Sequence, residues 1–236
     1  MYVNRASIKK KVVTIILALI NVGMYLVVNV YLNSVSGIYW LHNLAQNNDL
    51  IFRFGEYYRL FTAMLVHADE LHLLSNMFAL IIFGMLVENK YSIIQYLSIY
   101  FVSGFLGNIV SLWILPLNAF SLGASGCIFG VMGAYYVSFT AYDKKMIIYA
   151  VVSSAIMVAL SIGADINSWA HLLGAVGGLV LGFIFTQYNK KKLQKNHQKQ
   201  VKDPNYDDLD DDDKYHYNPT SHSNNDEDDE EEIDDY

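Results

Sequence analysis

One cysteine, Cys127, occurs in 236 residues. No internal disulfide can form and no cysteine-rich metal site can be built, and Cys127 itself reads as a small apolar helix residue. Charge is also scarce, at 17% of residues against 53% hydrophobic, a balance too apolar for a water-soluble globule. What charge there is lies unevenly. Residues 203–236 hold sixteen of the 23 acidic side chains and a single base, Lys214, whereas residues 1–202 carry fifteen basic and seven acidic ones. Once the lysines that flank apolar runs are set aside, no basic and aromatic groove remains, which argues against nucleic-acid binding. No internal repeat is evident, and no apolar run contains Asp, Glu, Lys or Arg. A transporter or channel would be favoured by either feature.

What is present is a series of long apolar segments. Arg5 and Lys9–Lys11 precede a first run, Val12–Leu32, long enough at helical rise to cross ~30 Å of hydrocarbon and longer than a signal-peptide core. No small-residue cleavage site follows it, so it predicts a retained transmembrane helix. Residues 33–70 mix Trp40, Phe52, Phe54, Tyr57 and Tyr58 with charges, which predicts an interfacial loop whose aromatic rings sit at headgroup level. Further runs span Leu71–Val87, Ile93–Leu115, Ser125–Ala141, Met146–Ile162 and Ser168–Thr186, joined by short polar connections such as Glu88-Asn89-Lys90. The fold class expected is therefore all-α: a polytopic six-helix membrane bundle.

Charge placement orients the bundle. With the N-terminus inside, the inner side receives Arg5, Lys9–Lys11, Lys90, Lys144, Lys145, Lys190–Lys192 and Lys195, and the outer side only Arg53 and Arg59. That asymmetry satisfies the positive-inside rule with both termini cytoplasmic. The expected organisation is a basic N-terminus at 1–11, a membrane domain at 12–188, a basic flanking segment at 189–202 and an acidic tail at 203–236. Such a tail cannot bury enough apolar surface to offset the entropy of ordering, and disorder is expected from about residue 196 onward.

Chemistry enters with Gly123-Ala124-Ser125-Gly126, a serine that opens an apolar, glycine-rich segment. In the six-helix topology Ser125 and His171 both fall near the outer end of their helices. The fourth run holds about 17 residues, or ~25 Å of helix, short of the ~30 Å bilayer core. Its start is thus expected below the outer surface, with the loop 117–124 dipping in to meet it. His171, Gly174, Gly178 and Gly182 share one helix face, and Gly126, Gly130 and Gly133 offer a small surface to match, as close packing in membranes requires. His72 and Asn76, one turn apart at the outer end of the second run, could both donate to one oxygen, the chemistry of an oxyanion hole. Blander readings exist: a lone serine packs or caps, a histidine near a helix start suits the interface, and His67 reads as a structural hydrogen-bonding residue of the loop. Convergence of Ser125, His171, His72 and Asn76 on one depth favours the chemical reading. Asp69, Asp143 and Asp165 lie in loops, so a Ser–His dyad is the economical assignment, with His171 oriented by packing. The second glycine of the soluble hydrolase elbow is replaced by Cys127, and no alternating strand pattern precedes the serine.

In this order and on these helices, Tyr58-Arg59, His67 with His72-x-x-x-Asn76, Gly123-x-Ser125-Gly126 and Ala170-His171-x-x-Gly174-x-x-x-Gly178 resemble the rhomboid family of intramembrane serine proteases. The resemblance covers roughly residues 10–188 and suits a basic bacterial-type, six-helix member. It implies that Ser125 is the nucleophile and His171 the general base, with His72, Asn76 and the Ser125 backbone N–H stabilising the oxyanion. Supporting positions are Gly123, Gly126, Gly174, Arg59 and Phe129, the last where the family often has a tyrosine stacked on the histidine. Tyr58 stands where tryptophan is usual. The implied substrate is a membrane-spanning protein cut near its outer end in the lipid bilayer of the plasma membrane, without cofactor or metal. The competing expectation is a catalytically silent rhomboid-like binder or chaperone of transmembrane helices.

Overall fold

A backbone in hydrocarbon has to satisfy its own N–H and C=O groups, so apolar runs without internal charge fold as helices. The computed structural model describes residues 12–32, 37–163 and 167–201; the N-terminus at 1–11, Asp165 and the acidic tail at 203–236 lie outside them. Helix α1 is Val12–Tyr25 and continues as a π-helical turn, Leu26–Tyr31. After the short elements of the loop come α5 (Glu70–Glu88), α6 (Ile93–Ile114), α7 (Ser125–Val137), α8 (Met146–Leu160) and α9 (Ser168–Val201). Four stretches are long and apolar enough to cross a membrane: Val12–Tyr31, Glu70–Glu88, Ile93–Ile114 and Ser168–Gln198. Two shorter apolar helices, Ser125–Ala141 and Met146–Leu160, complete the apolar set among the described residues.

Local chemistry sets the boundaries. Asp69 Oδ1 accepts the backbone N–H of His72 at 2.8 Å, capping α5 and fixing His72 in its first turn. Ser92 and Gln95 form a reciprocal capping box at the start of α6. Helix α9 runs to Val201, past residue 196 where disorder is expected, because the lysine-rich stretch after Thr186 has good helix formers and no breaker. The described residues up to Thr186 form one compact unit, and those from Gln187 to Val201 fall in a second.

Helix α7 lies at the centre of the first unit, packed on α5, α6 and α8. It is buried on nearly every side, through Gly126, Cys127, Ile128, Gly130, Val131, Met132, Gly133, Ala134 and Val137, as an all-round apolar helix should be. Small residues bring α9 against it. A Cβ on Gly174 would overlap the carbonyl oxygen of Gly126, and one on Gly178 that of Gly130. The glycine match expected from spacing is therefore present in backbone-to-backbone contact.

The segment expected as an interfacial loop is more ordered than its composition suggests. It folds into α2 (Gly37–Leu44), α3 (Asn48–Phe54), α4 (Arg59–Thr62) and a 3-10 turn, Ala63–Leu65. Its strand β1 (Gln46–Asn47) pairs antiparallel with β2 (Phe120–Ser121), just ahead of Ser125. Buried amides do the fastening: Gln46 Nε2 donates to Asn108 O at 3.2 Å, and Asn108 Nδ2 to Leu60 O at 2.8 Å. Glu88 likewise departs from its reading as a polar-loop residue. It is buried and accepts from Val13 N at 2.8 Å and Thr14 Oγ1 at 2.6 Å, capping the first turn of α1.

Candidate active site

Ser125 is the first residue of α7, so the leading N–H groups of that helix have no intrahelical partner and carry the positive end of its dipole. Four residues on, Phe129 covers the His171 ring, with centroids 4.4 Å apart and planes 17° from parallel. Across the α7–α9 contact, His171 Nε2 lies 2.8 Å from Ser125 Oγ. The stack is made by a phenylalanine and so needs no hydroxyl.

The N-terminus of α9 is held by a residue that sequence spacing did not single out. Asn167 Oδ1 accepts from Ala170 N at 3.0 Å, in the pattern of an N-cap, while its Nδ2 donates to Ser111 Oγ and Ser121 Oγ, each at 2.9 Å. One side chain thus ties the first turn of α9, which carries His171, to α6 and to the strand before Ser125. An Asn three residues ahead of Ala170 is a helix-start signal that could have marked it. A second unmarked contact is made by Ser161, whose Oγ lies 2.8 Å from His171 Nδ1. It is one serine of several in that run, and only the tertiary structure distinguishes it.

His72 and Asn76 project from α5 toward Gly123. Gly123 has φ +117°, a conformation natural to glycine, and a Cβ there would sit 2.7 Å from His72 Nε2. Asn76 is buried, and its Nδ2 makes no hydrogen bond to the described residues. A cavity of about 720 Å³ joins these groups: Ser125, His171, His72, Asn76, Gly123 and Gly126 all line it. Its remaining wall is largely apolar, including Ile128, Met132, Met157 and Leu160. Such a pocket suits an apolar chain segment with one polar group at its centre.

Two expected members stand outside the cavity wall. Gly174 acts at one remove, through its contact with Gly126. Arg59, itself buried, pairs with Glu56 and donates from Nη1 to His42 O at 2.6 Å and Ala45 O at 2.9 Å. It braces the loop. His67, between the 3-10 turn and α5, is fully buried with its ring 5.1 Å from that of His72. Neither ring nitrogen hydrogen-bonds to the described residues, so the hydrogen-bonding role expected of it in the loop is not the one it has. No cluster of His, Cys, Asp or Glu suited to a metal occurs among the described residues.

A multi-pass helical membrane protein with a serine and a histidine in hydrogen-bond contact inside its bundle is the class that fold and site define. Residues 54–188 match the Rhomboid domain, and the chain belongs to the rhomboid family. It is 33% identical over 147 residues to RHOMBOID-like protein 7 of Arabidopsis thaliana, covering 59% of this chain and 46% of that one. To RHOMBOID-like protein 6, mitochondrial, of the same plant it is 37% identical over 133 residues, 55% of this chain and 42% of that one. With the rhomboid YdcA of Bacillus subtilis it shares 32% identity over 144 residues, 58% of this chain and 72% of that one. The chain thus spans less than half the length of the two plant relatives.

Proposed function

We propose that this chain is an intramembrane serine endopeptidase that cleaves transmembrane segments of other membrane proteins. The observation that carries the reading is the 2.8 Å contact between His171 Nε2 and Ser125 Oγ, set in a cavity that also holds the His72 and Asn76 side chains. Ser125 Oγ attacks the scissile carbonyl carbon as its proton passes to His171 Nε2. The carbonyl oxygen takes the negative charge, with donors at the Ser125 N–H, His72 and Asn76. Each fixed donor contributes about 3–4 kcal/mol to lowering the barrier. Collapse of the tetrahedral intermediate breaks the C–N bond, and the Nε2 proton goes to the leaving amine. A water then repeats the sequence on the acyl-enzyme and regenerates Ser125.

In the same proposal the six apolar helices all cross the bilayer, both termini are cytoplasmic in a plasma membrane, and the cavity opens to the outer face. Helix α7 is short for a span, which suits a start below the surface where water can reach Ser125. Residues 1–11 and 203–236 act as flanking segments in this scheme, and deletion of 203–236 should leave cleavage roughly intact.

The deciding experiment compares wild type with Ser125→Ala in reconstituted vesicles, using a fluorophosphonate and a transmembrane substrate. Covalent labelling and cleavage by the wild type alone support the protease. Labelling of neither, with substrate helices still bound, replaces it with a silent helix-binding member. Cleavage by purified Ser125→Ala removes Ser125 from the nucleophile's place.

A further inference from the structure

His171 has hydrogen-bond contacts at both ring nitrogens, and the second is the informative one. Nε2 meets Ser125 Oγ at 2.8 Å, and Nδ1 meets Ser161 Oγ at 2.8 Å. Ser161 stands at the C-terminal cap of α8, where its Oγ also lies 2.7 Å from the carbonyl oxygen of Val158. A carbonyl only accepts and a hydroxyl has one proton, and of the two acceptors in reach of Ser161 Oγ the Val158 oxygen is the nearer, at 2.7 Å against 2.8 Å to His171 Nδ1. With the Ser161 proton donated to the Val158 oxygen, Ser161 Oγ faces His171 with lone pairs, and it is Nδ1 that carries the ring proton.

The consequence runs across the ring. A neutral imidazole protonated on Nδ1 has its free lone pair on Nε2, the nitrogen that faces Ser125. Ser125 Oγ–H therefore donates to Nε2, as a nucleophile donates to its base before attack. The hydrogen bonds all run one way, from Ser125 to His171 to Ser161 to Val158 O. Their far end is the last turn of α8, where the helix dipole places partial negative charge. When Nε2 takes the serine proton, the resulting imidazolium has an Nδ1–H already pointed at that negative end.

We propose that Ser161 is a positioning residue for His171, holding the imidazole in the Nδ1–H tautomer and orienting it toward Ser125. Phe129 sets the plane of the ring by stacking, but a stacked ring is free to carry its proton on either nitrogen. Ser161 supplies the choice that stacking does not make. This fills the place of the carboxylate that soluble serine hydrolases set behind their histidine, with a neutral acceptor backed by a helix end. The inference rests on the assignment of Ser125 and His171 as nucleophile and base.

The test uses full-length wild type, Ser161→Ala and Ser161→Thr in lipid nanodiscs, with ¹⁵N-labelled histidine. His171 is assigned by comparison with His171→Gln. Ring ¹⁵N shifts report which nitrogen is protonated, and substrate cleavage gives kcat and KM separately. Wild type should show protonated Nδ1. Ser161→Ala should show mixed tautomers and a kcat lower on the order of tenfold with KM unchanged, since geometry survives but part of the population has the wrong tautomer. Ser161→Thr should restore both. Retention of a pure Nδ1–H signal in Ser161→Ala overturns the inference, as does a kcat within about twofold of wild type. If wild type neither labels with fluorophosphonate nor cleaves, the protease reading fails, while the tautomer spectra still decide the role of Ser161.

Discussion

Gly174 rests against the carbonyl oxygen of Gly126 with no room for a Cβ between them. Gly126 follows Ser125, and Gly174 lies one helical turn after His171, so this contact sets the separation at which serine and imidazole meet. Replacement of Gly174 by valine forces α7 and α9 apart. Overpacking of this kind costs about 1–3 kcal/mol, whereas a displacement of about 1 Å at reacting groups costs on the order of 10²-fold in rate. Gly174→Val should therefore lose nearly all fluorophosphonate labelling while its unfolding midpoint in detergent falls only modestly. Equal labelling of variant and wild type would show that the contact does not set the reacting distance.

Asn76 offers the cleanest separation of activity from stability. Its Nδ2 faces the cavity and makes no hydrogen bond to the described residues, so truncation breaks no bond of that donor within the bundle. Asn76→Ala should lower kcat by about 10²–10³-fold, as expected for one oxyanion donor, with KM and thermal stability close to wild type. His72→Ala should act in the same direction. An unchanged kcat in either variant would take that residue out of the oxyanion site.

The apolar helices were legible because the length of an uncharged apolar run suffices to define them. The run Ile93–Leu115 appears as Ile93–Ile114, and Met146–Ile162 as Met146–Leu160. The glycine faces were legible for a similar reason, since i, i+3 and i+7 spacing defines a surface before any partner is known. Residues 37–65 were not, because their order comes from single long-range bonds, such as Gln46 to Asn108, that leave no periodic trace. Ser161 and Asn167 escaped for the same cause: each acts through a polar contact with a distant helix or loop. Glu88 was misplaced because a carboxylate beside Asn89 and Lys90 resembles any solvated loop until α1 is seen to start on it.

His67 makes the fold sensitive to acid. Burial, aided by the charge of His72 and opposed by Asp69, lowers its pKa to about 4, against about 6.5 in an unfolded chain. Between those values the unfolded chain binds a proton that the folded one does not, so stability is full above pH ~6.5 and falls as the pH drops toward 4. The loss amounts to roughly 3 kcal/mol across that window. Thermal unfolding in detergent from pH 7.5 to 4.5 should show a steeper decline for wild type than for His67→Phe. Parallel curves would assign the acid sensitivity to other groups.

Glu88 is the corresponding determinant at the opposite end of α5 from His72 and Asn76. Its carboxylate accepts from Val13 N, Thr14 N and Thr14 Oγ1, at 2.8, 3.3 and 2.6 Å, and faces the positive end of α1. Hydrogen bonds to a charged acceptor contribute about 1.5–3 kcal/mol each, and a carboxylate at a helix N-terminus adds a few tenths more. Glu88→Ala should lower stability by about 2–4 kcal/mol while leaving kcat per folded molecule unchanged, because no cavity-lining residue moves. Thr14→Val removes one partner of the same network, so the double variant should be less destabilised than the sum of the single ones by about 0.5–3 kcal/mol. Unfolding midpoints of the four proteins in a mixed-detergent titration give that coupling directly. Additivity within a few tenths of a kcal/mol would mean that the Thr14–Glu88 bond contributes nothing to holding α1 against the bundle.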